Sequence, residues 1–215
     1  MSDKRNAATN DLTGGMLCLD FANTFEPRLG DSQSDYLASY AELARCTSHA
    51  GSLSEEEAQR LLLEAEDRPS EAKAAFERAV ALRETVYRVF SAVAREEEPE
   101  SLDLDALSAA HLEALAHCHI MRTAEGFGWA RVAGEDNLES PLWPVVLSAT
   151  GLLTTGDLTR VKECPPEEGG CGWLFYDMSK NRSRRWCAMA ECGSRVKMRR
   201  YYYARKRSGG PRGDH

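Results

Sequence analysis

The chain has 215 residues, of which 42% are hydrophobic, and a formal net charge of −7. This size and composition suit a sizeable globular core and exclude a disordered or fibrous protein. No apolar run approaches the roughly 20 residues that cross a bilayer, and the N-terminus leads into no apolar segment typical of a signal peptide. We therefore expect a cytoplasmic protein that does not associate with a membrane.

Charge is unevenly distributed along the sequence. Residues 160–215 contain 14 Lys and Arg against 6 Asp and Glu, whereas residues 1–159 contain 13 against 28. The two parts therefore carry +8 and −15. A basic module attracts phosphate backbones, while the acidic part repels them and orients their approach. The alternative is that the basic residues only keep a small module soluble.

The first part of the chain is predicted to be mostly helical. Apolar residues recur at helical spacing, Ser54 and Glu57 form a capping-box pattern, and Ser140-Pro141 is typical of a helix start. These signals predict helices over 16–25, 36–47, 54–67, 70–95, 103–116 and 142–153. Between His119 and Val132, alternation around Gly126 and Gly128 predicts a β-hairpin, which we expect to pack on helices because two lone strands are marginally stable.

Four cysteines form the most specific pattern in the sequence. Six and four residues lie inside the two pairs, and fifteen lie between them. In a reducing compartment such a set indicates thiolate ligands, and four thiolates leave no open position on zinc, so we predict a structural Zn²⁺ site. The ligands are Cys164, Cys171, Cys187 and Cys192. The remaining cysteines, Cys18, Cys46 and Cys118, are predicted to be small buried hydrophobes.

The sequence around these cysteines predicts a small zinc-stabilised module. Residues 173–177 are predicted to be a strand, 178–183 a turn and 184–186 the returning strand, with a final helix over 194–206. This order is that of a treble-clef-like zinc finger. Trp173, Phe175 and Trp186 are predicted to form its small core, and the alternative is that they stack on bases. A module of this size depends on the metal for much of its stability.

The basic residues of this module are the candidate nucleic-acid contacts. On the helix, a stripe of Arg195, Arg199, Tyr202 and Lys206 is predicted to face outward while Val196 and Tyr203 pack on the hairpin. Such a stripe suits phosphate and guanine contacts, and the alternative is a solvated amphipathic face. The candidates are Lys180, Arg182, Arg184 and Arg185 on the hairpin, and Arg195, Lys197, Arg199, Arg200 and Lys206 on the helix.

Several of these motifs resemble a known family. Cys171-Gly172-Trp173-Leu174-Phe175, Arg184-Arg185-Trp186-Cys187 and Cys192-Gly193-Ser194-Arg195 resemble the CGNR zinc finger of bacterial transcription regulators. Leu17-Cys18-Leu19-Asp20-Phe21-Ala22-Asn23-Thr24 resembles the ABATE-type domain that precedes it. The resemblance implies that the four cysteines bind zinc, that the finger binds DNA and that the protein is a stress-responsive regulator. Ser194 stands where asparagine is usual, and both residues cap helices well.

We therefore expect an α+β protein with two domains and a tail. Residues 1–159 are assigned to a mainly helical ABATE-type domain for sensing or dimerisation, residues 160–207 to the zinc finger, and residues 208–215 to a disordered tail. A homodimer and a small-molecule effector are further hypotheses. If an effector binds, the expected pocket lies beside Asp20, Asn23 and Thr24, for which the alternative is a role in local caps and turns.

Three functions remain open at this point. The first is a DNA-binding regulator, and the others are an RNA-binding protein and a zinc-dependent protein-interaction module. An enzyme is not expected, because no spacing among His111, His117, His119, Asp20 and Glu26 is typical of a catalytic or metal site. Competition between duplex DNA and structured RNA would discriminate the first two functions.

Overall fold

The fold was obtained as a computed structural model that describes residues 12–28, 34–124, 126–131 and 137–208. It is α+β, as expected, with seven helices and three two-stranded antiparallel sheets in the described residues. The helices are α1 (Leu17–Ala22), α2 (Tyr40–His49), α3 (Glu55–Asp67), α4 (Pro69–Ala94), α5 (Ser101–Ala116), α6 (Trp143–Thr155) and α7 (Ser194–Ser208). The strands are β1 (Phe25–Glu26), β2 (Ser34–Asp35), β3 (Cys118–Thr123), β4 (Gly126–Arg131), β5 (Val161–Glu163) and β6 (Leu174–Tyr176).

The central element is α4, which contacts α1, α2, α3, α5, β5 and β6. Pro69 occupies its first turn, where no amide hydrogen is needed, and small side chains on one face let neighbouring helices approach closely. Val86 and Phe90 are fully buried in the core. The short apolar helix α1 is buried between α4 and α6. The predicted helix over 70–95 is therefore the element on which most of the first part packs.

Most predicted helices are found with shifted ends. The capping box is present, since Ser54 Oγ accepts from the Glu57 amide at 3.2 Å while the Glu57 carboxylate accepts from the Ser54 amide at 2.8 Å. The second helix begins four residues later than predicted because Ser39 caps it, which leaves Tyr36 outside. The first helix ends at Ala22 instead of continuing to residue 25.

The predicted hairpin is confirmed, but its predicted packing is wrong. Strands β3 and β4 pair antiparallel with Ile120 opposite Trp129 and Arg122 opposite Phe127. All residues of β3 after Cys118 are exposed, so the hairpin does not bury its apolar side chains on the helices. The alternation of residues that predicts a half-buried strand is thus present, but the apolar side chains of the hairpin stay exposed.

The hairpin of the cysteine region differs from the predicted one. Strand β6 pairs with β5, Lys162 lying opposite Phe175, and residues 184–186 form no strand. The reason lies in Asp177, whose buried carboxylate accepts the amides of Ser179 and Arg184 at 2.9 and 3.0 Å. The chain after β6 therefore folds around this carboxylate and does not return as a strand.

Strand β6 also belongs to the core of the first part. It contacts α1 and α4, and Leu174 is fully buried in the same cluster as Leu19, Val86 and Phe90. The core of the first part therefore extends across the predicted domain boundary at residue 160 and includes Leu174. No helix within the described ranges is long and apolar enough to span a bilayer.

Candidate zinc centre and nucleic-acid interface

The four cysteine thiols converge on one point. Cys164 follows β5 directly, and Cys171 precedes β6. Cys187 lies before the turn into α7, and Cys192 lies within that turn. All four are buried, and their Sγ atoms lie within 4.8 Å of one another. Cys171 and Cys187 are 3.4 Å apart, and Cys187 and Cys192 are 3.6 Å apart. A tetrahedral ion with Zn–S bonds of about 2.3 Å requires sulfur separations of about 3.8 Å, so the cluster fits zinc.

Glycines allow the first pair of cysteines to come together. A Cβ on Gly170 would lie 2.8 Å from Cys164 Sγ and 2.7 Å from the Pro165 carbonyl oxygen. Gly172 has a φ of +77°, which favours glycine, and its amide donates to the Cys164 carbonyl at 3.0 Å. The loop between β5 and β6 therefore holds two thiols without a side chain in the way.

Hydrogen bonds among the thiols shift their proton affinities in opposite directions. Bonds from Cys171, and then from Cys187 and Cys192, lower the pKa of Cys164. The same contacts, with Cys164 first, raise the pKa of Cys171. A metal cation that replaces the protons shared within the cluster would bind all four sulfurs as thiolates.

Aromatic side chains surround the cysteine cluster. Trp173, Phe175 and Trp186 are buried with the cysteines and Val196, which confirms the predicted small core. The Arg184 guanidinium lies 4.5 Å from the centre of the Phe175 ring. It also donates to the carbonyl oxygens of Thr13 and Trp186 at 2.9 and 3.1 Å. Arg184 is therefore part of the internal packing of the module.

A short turn leads from the cluster into α7. Met189–Gly193 forms a π-helical turn that carries Cys192. Ser194 is the first residue of α7, and its hydroxyl donates to the Met189 carbonyl at 3.0 Å. Ser194 therefore closes the preceding turn, whereas the sequence analysis expected an ordinary helix cap. Arg195 places Nη2 2.9 Å from Cys192 Sγ, where its charge offsets that of a thiolate.

Helix α7 projects away from the cluster. Between Ser194 and Lys206 only Val196 is buried, and all the other side chains are exposed. The prediction that Tyr203 packs on a hairpin is wrong, because Tyr203 is 53% exposed and the returning strand is absent. At about 1.5 Å per residue, α7 extends roughly 18 Å beyond Val196 to its end at Ser208. The helix thus presents nearly its whole circumference to solvent.

The candidate basic residues fall into three groups. Lys180, Lys197, Arg199 and Lys206 are exposed, and none of them takes part in the ion pairs found among the described residues. Arg182 pairs with Asp157 at 2.8 Å, while Arg185 and Arg200 both pair with Glu168. A phosphate would meet the first group directly but would have to compete with a carboxylate for the second. Arg184 and Arg195 are held by internal contacts.

The candidate ligand-binding residues in the first part make contacts inside the protein. Asp20 Oδ1 accepts from the Gly14 amide at 2.7 Å, and Thr24 Oγ1 donates to the Phe21 carbonyl at 2.8 Å. The side-chain amide of Asn23 pairs with the backbone of Leu174 at 2.8 and 2.9 Å. The cavity lined by Asp20 has a volume of only about 10 Å³, close to one water molecule. Burial raises the pKa of Asp20 to about 6.

Sequence reasoning missed a network that joins the two parts of the chain. The Glu163 carboxylate at the end of β5 accepts hydrogen bonds from Tyr87 and Ser91 of α4 and from Arg95, the residue after that helix, at 2.9 to 3.1 Å. The Arg28 amide donates to the Cys171 carbonyl at 2.9 Å. No local pattern signals these contacts, because their partners are distant in sequence.

Comparison with known families accounts for most of the chain. The model of the ABATE family, described as "putative stress-induced transcription regulator", matches residues 15–156. The model of the CGNR zinc finger matches residues 160–206. No curated protein matches the chain.

Proposed function

This chain belongs to the ABATE family, and because it also carries a CGNR zinc finger we propose that it is a bacterial transcription regulator that binds duplex DNA through that finger. The observation that carries the proposal is the exposed cationic helix α7, which leaves the buried four-cysteine cluster directly. Because the described part of α7 buries only Val196, the helix gains little from packing on the described residues, and a phosphate-bearing partner would supply further contacts.

The zinc ion has a structural role in this proposal. Cys164, Cys171, Cys187 and Cys192 hold it, and four thiolates leave no position for a reacting water. The ion ties the β5–β6 loop to the start of α7 and thereby fixes the direction of the helix. Catalysis forms no part of the proposal.

Contacts with DNA would come mainly from exposed cations that form no ion pair with the residues that the structure describes. Lys197, Arg199 and Lys206 lie on α7, and Lys180 lies on the loop after β6. These side chains would neutralise phosphates, which supplies affinity irrespective of sequence. Arg182, Arg185 and Arg200 would join only by exchanging a carboxylate for a phosphate, and Arg184 is left out because its guanidinium is engaged internally.

Neutralising two of these cations tests the interface. The variant Lys197→Gln/Arg199→Gln is compared with Lys73→Gln, which removes an exposed charge from α4. Each lost phosphate contact lowers the slope of log K against log salt by about 1, so the double variant is expected to lose about 2 while its zinc content stays unchanged. Unaltered duplex binding by the double variant would remove α7 from the interface.

Three consecutive exposed tyrosines favour RNA binding as a second candidate function. Tyr201, Tyr202 and Tyr203 are 63%, 63% and 53% exposed. Aromatic side chains stack on unpaired bases, which suits single-stranded loops of RNA. Competition between a duplex and a structured RNA at equal salt decides between the two candidates. Failure to bind either nucleic acid would favour the zinc-dependent protein-interaction module.

A further inference from the structure

The β3–β4 hairpin carries an apolar face that the described part of the chain leaves uncovered. By its register, Ile120, Phe127 and Trp129 lie on the same face, together with Arg122. Ile120 is 65% exposed, Phe127 75% and Trp129 54%. Met121, on the opposite face, is 46% exposed. Both faces of the hairpin therefore meet solvent in the single chain.

An uncovered hairpin of this kind is unfavourable in an isolated molecule. Two strands alone are marginally stable in water and need a third strand or a packed face. The sheet contains only β3 and β4 among the described residues, so no third strand in the described part of the chain supports the hairpin. Large exposed side chains gathered on one face mark an interaction surface, whereas scattered ones do not.

We propose that this face is a homodimer interface and that its occupant is the same face of a second copy of the chain. A two-fold axis through the patch would stack Ile120, Phe127 and Trp129 of each copy on those of the other, as an isologous interface requires. The residues of this face determine which partner fits. The partner must offer an apolar surface to the three side chains and an aromatic ring to Arg122, and a second copy of the chain offers both.

The available area agrees with a small dimer interface. With about 150–250 Å² for each aromatic side chain, the exposed parts of the three apolar residues offer roughly 400 Å² in each copy. Two copies would thus bury about 800 Å² from these side chains alone. Backbone edges and Arg122 would bring the total near the roughly 1,000 Å² expected of a biological interface.

The four tryptophans provide a direct measurement of this interface. Trp143, Trp173 and Trp186 are 3%, 2% and 8% exposed, so Trp129 is the one tryptophan open to a quencher in the monomer. Acrylamide quenching of the full zinc-loaded chain is expected to reveal one accessible tryptophan at low protein concentration. That component should disappear as concentration rises, in step with the mass measured by sedimentation equilibrium.

Two substitutions test the patch. Phe127→Asp replaces an exposed ring of the face with a charge and is expected to weaken dimerisation at least about 30-fold. Leu63→Asp is the matched control, since Leu63 on α3 is 64% exposed and lies outside the hairpin; its dimerisation should equal that of the unmodified protein. Phe127→Ser removes the ring without adding charge and should weaken dimerisation less.

The outcomes separate this inference from the proposed function. The proposed interface is wrong if the unmodified protein stays monomeric at high concentration. It is also wrong if Phe127→Asp and Leu63→Asp dimerise equally. A monomeric Phe127→Asp that keeps its zinc and still binds duplex DNA with lower affinity supports it. Failure of the unmodified dimer to bind nucleic acid would count against the proposed function alone.

Discussion

The side-chain amide of Asn23 forms two hydrogen bonds with the backbone of Leu174, Nδ2 donating to the carbonyl at 2.8 Å and Oδ1 accepting from the amide at 2.9 Å. Both residues are fully buried. The Asn23 side chain thereby forms with Leu174 of β6 the two backbone hydrogen bonds that a neighbouring strand would otherwise form. The segment after α1 and the zinc region are joined in this way at the centre of the core.

Replacing this asparagine is expected to destabilise both parts of the chain together. Asn23→Ala would leave the amide and carbonyl of Leu174 buried without partners, at about 1–3 kcal/mol for each group. We expect the free energy of unfolding, measured with urea at fixed zinc, to fall by about 2–4 kcal/mol. Asn137→Ala, which removes a single contact to the Glu139 amide, is the control and should cost about 1 kcal/mol. Equal losses of unfolding free energy in the two variants would contradict this role of the two Asn23–Leu174 hydrogen bonds.

The buried carboxyl group of Asp20 should make stability depend on pH. Burial raises its pKa from 3.8 to about 6, so between these values the folded state binds a proton that the unfolded state has released. The contribution of Asp20 to the free energy of unfolding is therefore complete below about pH 4 and is lost as the pH rises through about 6. With about 1.4 kcal/mol for each pKa unit, the loss is roughly 3 kcal/mol.

The variant Asp20→Asn isolates this effect because its side chain does not ionise. The stability of the variant relative to the unmodified protein should rise by roughly 3 kcal/mol between pH 4 and pH 7. Urea unfolding at several pH values measures the difference. A difference that stays constant over this range would show that Asp20 keeps an ordinary pKa in the folded protein.

Loss of zinc should loosen the cysteine region before the helical core. Trp173 and Trp186 pack with the four cysteines, while Trp143 lies in the core of the first part. Chelation is therefore expected to shift tryptophan emission to longer wavelength while most of the helical circular dichroism remains. Cys171→Ser should reproduce this change and lower the zinc content. Cys118→Ser, outside the cluster, should alter neither signal.

Local signals predicted the elements that depend on neighbouring residues. The Ser54 capping box needs only a few adjacent side chains, and it was found where expected. The cysteine spacing likewise predicted a cluster, because thiol ligands must converge on one ion. These features are encoded within short stretches of sequence.

Features that depend on distant partners were predicted wrongly or not at all. Residues 184–186 were expected to pair with β6, but Val161–Glu163 takes that edge and the Asp177 carboxylate holds the chain away. Tyr203 consequently has no surface to pack on. Leu174, the partner of Asn23, lies 151 residues further along the chain. No rule based on sequence spacing could therefore identify the two hydrogen bonds between them.

Binding of duplex DNA by the full-length, zinc-quantified protein across a salt series tests the central claim most directly. If the cations of α7 neutralise phosphates, the logarithm of the binding constant will fall linearly with the logarithm of salt concentration, with a slope that corresponds to several released counterions. Absence of duplex binding at low salt, in protein that carries one zinc per chain, would contradict the account.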